Sequence, residues 1–220
     1  NNDAMRLALS LGFDYIFLFN MDTIAADDCL RRMVKAVESS DDIGAVQARL
    51  MLWPETEKIN SLGNFTHFLG FGYCDGLGKK WIGDSTSGYP EIGYPSGAAV
   101  LFKREVLEKV GLFDEEYWMY NEDQDLGWRI WLAGSRCVLA PQAVVYHKYD
   151  FRQSLRYYYW LDRNRVLSIV KNYQLSTLLL ISFPFIIMEA GLLLFVIKRG
   201  LWKEKLDVYK YFLMRRPWKQ

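Results

Sequence analysis

Two residue periods alternate through the first fifty residues, and they leave little choice of architecture. Residues 3–11 place Ala4, Leu7, Ala8 and Leu11 at helical spacing, and Gly12 stands where a helix C-cap belongs. DYIFLFN at 14–20 is a short continuous apolar run, the pattern of a strand buried on both faces. Helical spacing returns over 26–39 (Leu30, Met33, Val34, Val37), with Asp27 and Asp28 near its start, where carboxylates suit the helix dipole. IGAVQARLML at 43–52 is again strand-like. Helix, strand, helix, strand predicts an α/β layered domain. YPSGAAVLFKR (94–104) predicts a further strand, 104–110 a helix, and CVLAPQAVVYH (137–147) two strand pieces broken at Pro141. Residues 53–92 have no clear period. A stretch of that length predicts a functional lid or acceptor region with short strands.

Charge divides the chain in two. Residues 1–147 carry 13 Lys/Arg against 21 Asp/Glu, a balance of −8, whereas residues 148–220 carry 14 against 5, a balance of +9. Residues 1–150 form the globular part, and 151–174 predict a basic, Tyr-rich amphipathic helix. The stretch 175–197 holds a single charge, Glu189; as a helix it reaches about 34 Å, enough for a hydrocarbon core of about 30 Å. Pro184 and Glu189 interrupt it, and basic residues flank both ends, including the basic tail 198–220. A kinked transmembrane span and a re-entrant or interfacial hairpin are both open. A basic, aromatic rear around an apolar run favours an anionic membrane over nucleic acid, for which there is no Gly-rich or RNP-like signature. Three cysteines without metal or disulfide spacing suit a reducing cytoplasm.

Three motifs carry the chemistry. FLFNMDT (17–23) ends an apolar run in Asp22; a carboxylate at a strand end either binds Mg²⁺ or Mn²⁺ bridging to phosphates, or caps the helix near residue 26. YWMYNEDQDLGWR (117–129) packs Glu122, Asp123 and Asp125 into four residues. Neighbouring carboxylates raise one another's pKa, which suits a general base; the plainer reading is a solvated helix N-terminus, which the flanking aromatics oppose. His147 is a candidate metal ligand or a satisfied residue at a strand end. Ser96 and Gly97 open a strand with small residues, allowing either close ligand approach or tight sheet packing. Trp53, Phe65, Phe68, Phe71, Tyr73 and Trp81 either stack on sugars or pack the core.

In this order, these motifs resemble the inverting nucleotide-sugar glycosyltransferases of family 2, closest to the rhamnosyltransferase-like branch. DRNR at 162–165, the following KNY and the apolar tail are similar to that branch too. The resemblance implies a GT-A (Rossmann-like) fold, a mixed sheet flanked by helices, with a membrane-associated helical segment at its C-terminal end. It implies Asp123 as general base, with Asp125 and Arg129 as supporting catalytic positions around it and Glu122 beside it near the acceptor. Asp22 and His147 would hold Mn²⁺ or Mg²⁺, Asn20, Ser96 and Gly97 would lie on the donor side, and Trp118 near the acceptor. Asn20 stands where the family has a first metal carboxylate, leaving fewer anionic ligands. The βαβ unit with which the family begins has no counterpart here, so an N-terminally truncated domain, or one completed by another polypeptide, is expected. The expected partners are a nucleotide-sugar donor, a lipid-linked or polysaccharide acceptor and the anionic cytoplasmic face of a bacterial plasma membrane. A non-catalytic membrane-bound remnant or subunit that binds glycan or lipid is the alternative.

Overall fold

A six-stranded mixed sheet sets the frame of the molecule. The computed structural model describes residues 1–83, 88–149 and 156–215. In chain order the strands are β1 (Tyr15–Phe19), β2 (Thr23–Ala25), β3 (Ile43–Leu52), β4 (Ile59–Ser61), β5 (Asn64–Thr66), β6 (Gly72–Cys74), β7 (Ala99–Lys103) and β8 (Arg136–His147). The main sheet runs β1-β7-β3-β8-β2, with β4 also pairing with β3, and β5–β6 form a separate hairpin. β3 and β8 are parallel, whereas β7 is antiparallel to both β1 and β3.

Alternation along the central strands feeds two cores. Val46, Ala48 and Leu50 of β3, Leu101 of β7 and Val138 and Ala140 of β8 pack on Met33, Ala36 and Val37 of α2 (Cys29–Val37). Ala45, Val100, Phe102, Cys137 and Leu139 face the other way, onto Met5 of α1 (Asn2–Ser10), Leu107 of α3 (Arg104–Val110) and Leu126 and Ile130 of α4 (Glu122–Leu132). The period of two in each strand is what makes a three-layer domain.

Four elements differ from their sequence expectation. β1 is not buried on both faces: it lies at the sheet edge, paired among the described residues only with β7, and Phe19 is exposed. β8 is one strand rather than two. Its register on β3 jumps from Ala48↔Ala140 to Arg49↔Val144, so Pro141, which has no N–H to give the ladder, falls in the irregularity. Residues 198–215 are not a plain tail; α7 (Trp202–Arg215) follows α6 (Leu175–Arg199) across Gly200, whose φ of 73° supplies the left-handed cap. The expected helix over 151–174 is α5 (Tyr158–Asn172), residues 151–155 of that expectation lying outside the described ones. Its basic residues do not form an outer face, for Arg163 and Arg165 are buried.

The reason lies in the carbonyls they serve. The Asn164 amide donates to the carbonyls of Tyr117, Met119 and Tyr120 at 2.9, 2.6 and 2.6 Å, and Arg163 donates to those of Glu116 and Tyr117. Trp118, Tyr120 and Asn121 all have positive φ (56°, 64° and 62°), a region that costs most side chains energy. α5 thus holds a strained loop in place immediately before Glu122 and Asp123.

Candidate active site

Ser96-Gly97-Ala98 connects the two halves of the site. The Gly97 amide donates to Asp123 Oδ2 at 3.3 Å, while the Ala98 carbonyl accepts the Asn20 amide at 3.0 Å. One tripeptide therefore joins the start of the segment Asn20-Met21-Asp22 to the first turn of α4. Its position is set from below by Gln47, a buried polar residue in mid-β3, whose Oε1 accepts the Ser96 amide at 2.7 Å. From the side, Gly127 lets α4 lie against Tyr94 and Pro95: a Cβ there would come within 2.3 Å of the Tyr94 Cβ.

Asp123 Oδ1 accepts the Gln124 amide at 2.8 Å. Burial pushes its carboxyl above the usual range, against the stabilising hydrogen bonds from Gly97 and Gln124. Glu122 is also pushed up, by burial first and then by the charge of Asp123, and its Oε2 is buried without a hydrogen-bond partner. Two adjacent carboxyls raised in this way titrate as a pair and hold a proton more readily than free ones. Gln124 ties the turn to the β5–β6 hairpin through Thr66 Oγ1 at 3.0 Å and the Gly70 carbonyl at 3.1 Å.

Asp125 and Arg129 have different partners. Arg129 Nε donates to Asp125 Oδ2 at 2.8 Å, and its other nitrogens donate to the carbonyls of Val110 and Leu112 at 2.6 and 2.9 Å. Asp125 Oδ1 accepts from Tyr117 Oη at 3.3 Å and Asn172 Nδ2 at 3.1 Å. This ion pair fastens α4 to the loop after α3 and to α5. Trp118 is exposed and packs on Trp160, ring centroids 4.7 Å apart.

Asp22 lies in the turn between β1 and β2, and the register Thr23↔His147 brings it to His147. Asp22 Oδ1 is 3.4 Å from His147 Nε2, the aspartate half-exposed and the histidine buried. His147 Nδ1 bonds to Asn60 Oδ1 at 2.8 Å. A carboxamide oxygen only accepts, so Nδ1 carries the proton and the Nε2 lone pair faces a carboxylate. A cation or a proton between them relieves that opposition. Burial lowers the His147 pKa despite the raising influence of Asp22. Carboxylate oxygen and imidazole nitrogen are donors a divalent ion such as Mn²⁺ accepts. Among the described residues no group of three or more His, Cys, Asp or Glu side chains converges on one point, so the pair fits as part of a coordination shell.

Asn60 and Gln47 are supporting residues that sequence reasoning missed. Asn60 sits in the stretch without period, and Gln47 was one polar residue inside an apolar strand. Only the latter left a signal, a polar side chain at a core position.

Comparison with known proteins gives this geometry a class and then a family. The fold is that of the GT-A glycosyltransferases: the chain aligns with GalNAc-T7 in its structure with UDP, GalNAc and Mn²⁺ at a TM-score of 0.53 and 12% identity, over 74% of this chain and 33% of that one. A mannosyltransferase from Pyrobaculum calidifontis, in complex with GDP-Man and Mn²⁺, aligns at a TM-score of 0.45 and 15% identity, over 98% of this chain and 67% of that one. The model of glycosyl transferase family group 2 matches residues 15–213, and the chain belongs to that family. It is 46% identical over 56 residues to the N-acetylglucosaminyl-diphospho-decaprenol L-rhamnosyltransferase of Mycobacterium tuberculosis (strain H37Rv), a match covering 26% of this chain and 18% of that relative. The chain is thus matched to less than a fifth of that relative's length.

Proposed function

We propose that the protein is an inverting glycosyltransferase that moves a sugar from a nucleotide-diphosphate donor to a lipid-linked or polysaccharide acceptor, with Asp123 as general base. The observation that carries this reading is the Ser96-Gly97-Ala98 tripeptide, which touches both Asp123 and the segment leading to Asp22. Two half-buried, mutually repelling carboxyls beside open space also support it, because a fold gains no stability from them. Rhamnose is the donor sugar suggested by the partial likeness to the mycobacterial enzyme.

Asp123 accepts the proton of an acceptor hydroxyl as that oxygen attacks the anomeric carbon. The carbon–oxygen bond to the diphosphate breaks on the opposite face, inverting the configuration and releasing the nucleoside diphosphate. A divalent ion held by Asp22 and His147 would supply positive charge to the departing diphosphate. Gly97 leaves room for the donor, since a Cβ built on it meets nothing within 4 Å. Asp125 and Arg129 act as positioning residues that fix the angle of α4.

The test is nucleotide release by membranes containing the protein with its complete coding sequence. dTDP-rhamnose, UDP-sugars and GDP-mannose would each be offered with and without Mn²⁺ or Mg²⁺. Metal-dependent release from one donor supports the proposal; no release from any donor by folded protein favours a glycan- or lipid-binding role instead.

A further inference from the structure

The single acidic residue within α6, Glu189, is held by two other helices. Glu189 accepts from Arg165 of α5, from Lys205 of α7 at 2.6 Å and from Tyr209 Oη at 3.2 Å. Asp162 accepts from Arg165 at 2.7 Å and from Lys205 at 2.6 Å, so two acids and two bases alternate and neutralise one another. Arg165 also donates to the Leu69 carbonyl at 3.1 Å, in the loop joining β5 to β6. Glu189, just past the middle of α6, is therefore one side chain away from the backbone of the α/β domain.

The rest of the helix follows the same division. Ile181 and Val196 are buried and Phe185 and Leu192 half-buried, which puts one face of α6 against protein along most of its length. The opposite face exposes Leu180 (81%), Phe183 (72%), Ile187 (58%) and Leu194 (64%). By length and composition alone α6 could cross a membrane. Crossing would place Glu189 near the bilayer centre and take Asp162, Arg165, Lys205 and the Leu69 carbonyl with it, a burden of charge that hydrocarbon does not tolerate.

We infer that α6 lies in the plane of an anionic membrane, its outer face seated at the boundary of headgroups and acyl chains. Lys198, Arg199, Lys203 and Lys210 stand exposed at its C-terminal end and along α7, as electrostatic attachment to acidic lipid requires. The inference concerns where the protein rests rather than the transfer step, so its test is independent of whether a sugar donor is found.

Nitroxide labels on single cysteines at Leu180, Ile187 and Leu194 would be read for immersion depth by oxygen and nickel-complex collision. The protein would carry Cys74→Ser, Cys29 and Cys137 being buried, and would be bound to vesicles of phosphatidylcholine and phosphatidylglycerol. An in-plane helix gives three nearly equal depths just below the phosphates. A span gives Ile187 deepest, with a neighbour shallower by about 10 Å, and would overturn the inference. Three water-exposed labels on vesicle-mixed protein would overturn it as well. Vesicles of phosphatidylcholine alone should bind about tenfold more weakly or worse; equal binding would contradict the anionic partner.

Discussion

The Gly97 amide donates to Asp123 Oδ2 at 3.3 Å, one residue before the Ala98 carbonyl takes the Asn20 amide. Asp123 and the segment leading to Asp22 are thus coupled through main chain, and small displacements of 96–98 move both.

Two glycines separate packing from ligand space. Gly127→Ala drives a methyl into Tyr94 and should destabilise the fold by about 1–3 kcal/mol, read as a lowered urea midpoint. Gly97→Ala meets open space in the protein, so it should leave the midpoint unchanged and raise the donor KM. Equal stability losses from both would remove the argument that the space beside Gly97 belongs to a ligand.

Asn60 sets the tautomer of His147. Asn60→Ala releases Nδ1, and the metal concentration for half-maximal activity should rise roughly 10–100-fold, with turnover recovered at saturating metal. An unchanged metal requirement would show that Nε2 is not presented to an ion through this bond.

Much of the fold was legible in the residues, and how the candidate site residues meet was hidden for identifiable reasons. β3 and α3 match their apolar patterns residue for residue, because burial on both faces or one helical stripe leaves a strong period. Asp22 and His147 were separate candidates whose meeting depends on the β2–β8 register, a long-range pairing no local pattern encodes. β1 read as a central strand because apolar composition does not distinguish a sheet centre from an edge. The basic residues of α5 suggested a membrane face, yet Arg163 and Asn164 serve loop carbonyls and Arg165 serves Asp162, Leu69 and Glu189. Charge in a sequence shows the donors but not the acceptors they will find.

The raised carboxyls of Asp123 and Glu122 predict the pH profile. A base works only when deprotonated, so kcat/KM should fall as pH drops through a pKa above the usual carboxylate value of about 4. Glu122→Gln removes a neighbouring negative charge and should move that limb to lower pH. A limb at the ordinary carboxylate position in the unaltered protein would mean that neither group controls the rate.

The central claim is that Asp123 takes the acceptor proton, and Asp123→Asn tests it most directly. The substitution keeps the shape and leaves an oxygen to accept from Gly97, so donor affinity and thermal midpoint should stay near their starting values. Single-turnover transfer at saturating donor, acceptor and metal should fall by about 10²–10⁴-fold. Near-normal transfer by a folded Asp123→Asn protein would contradict the account.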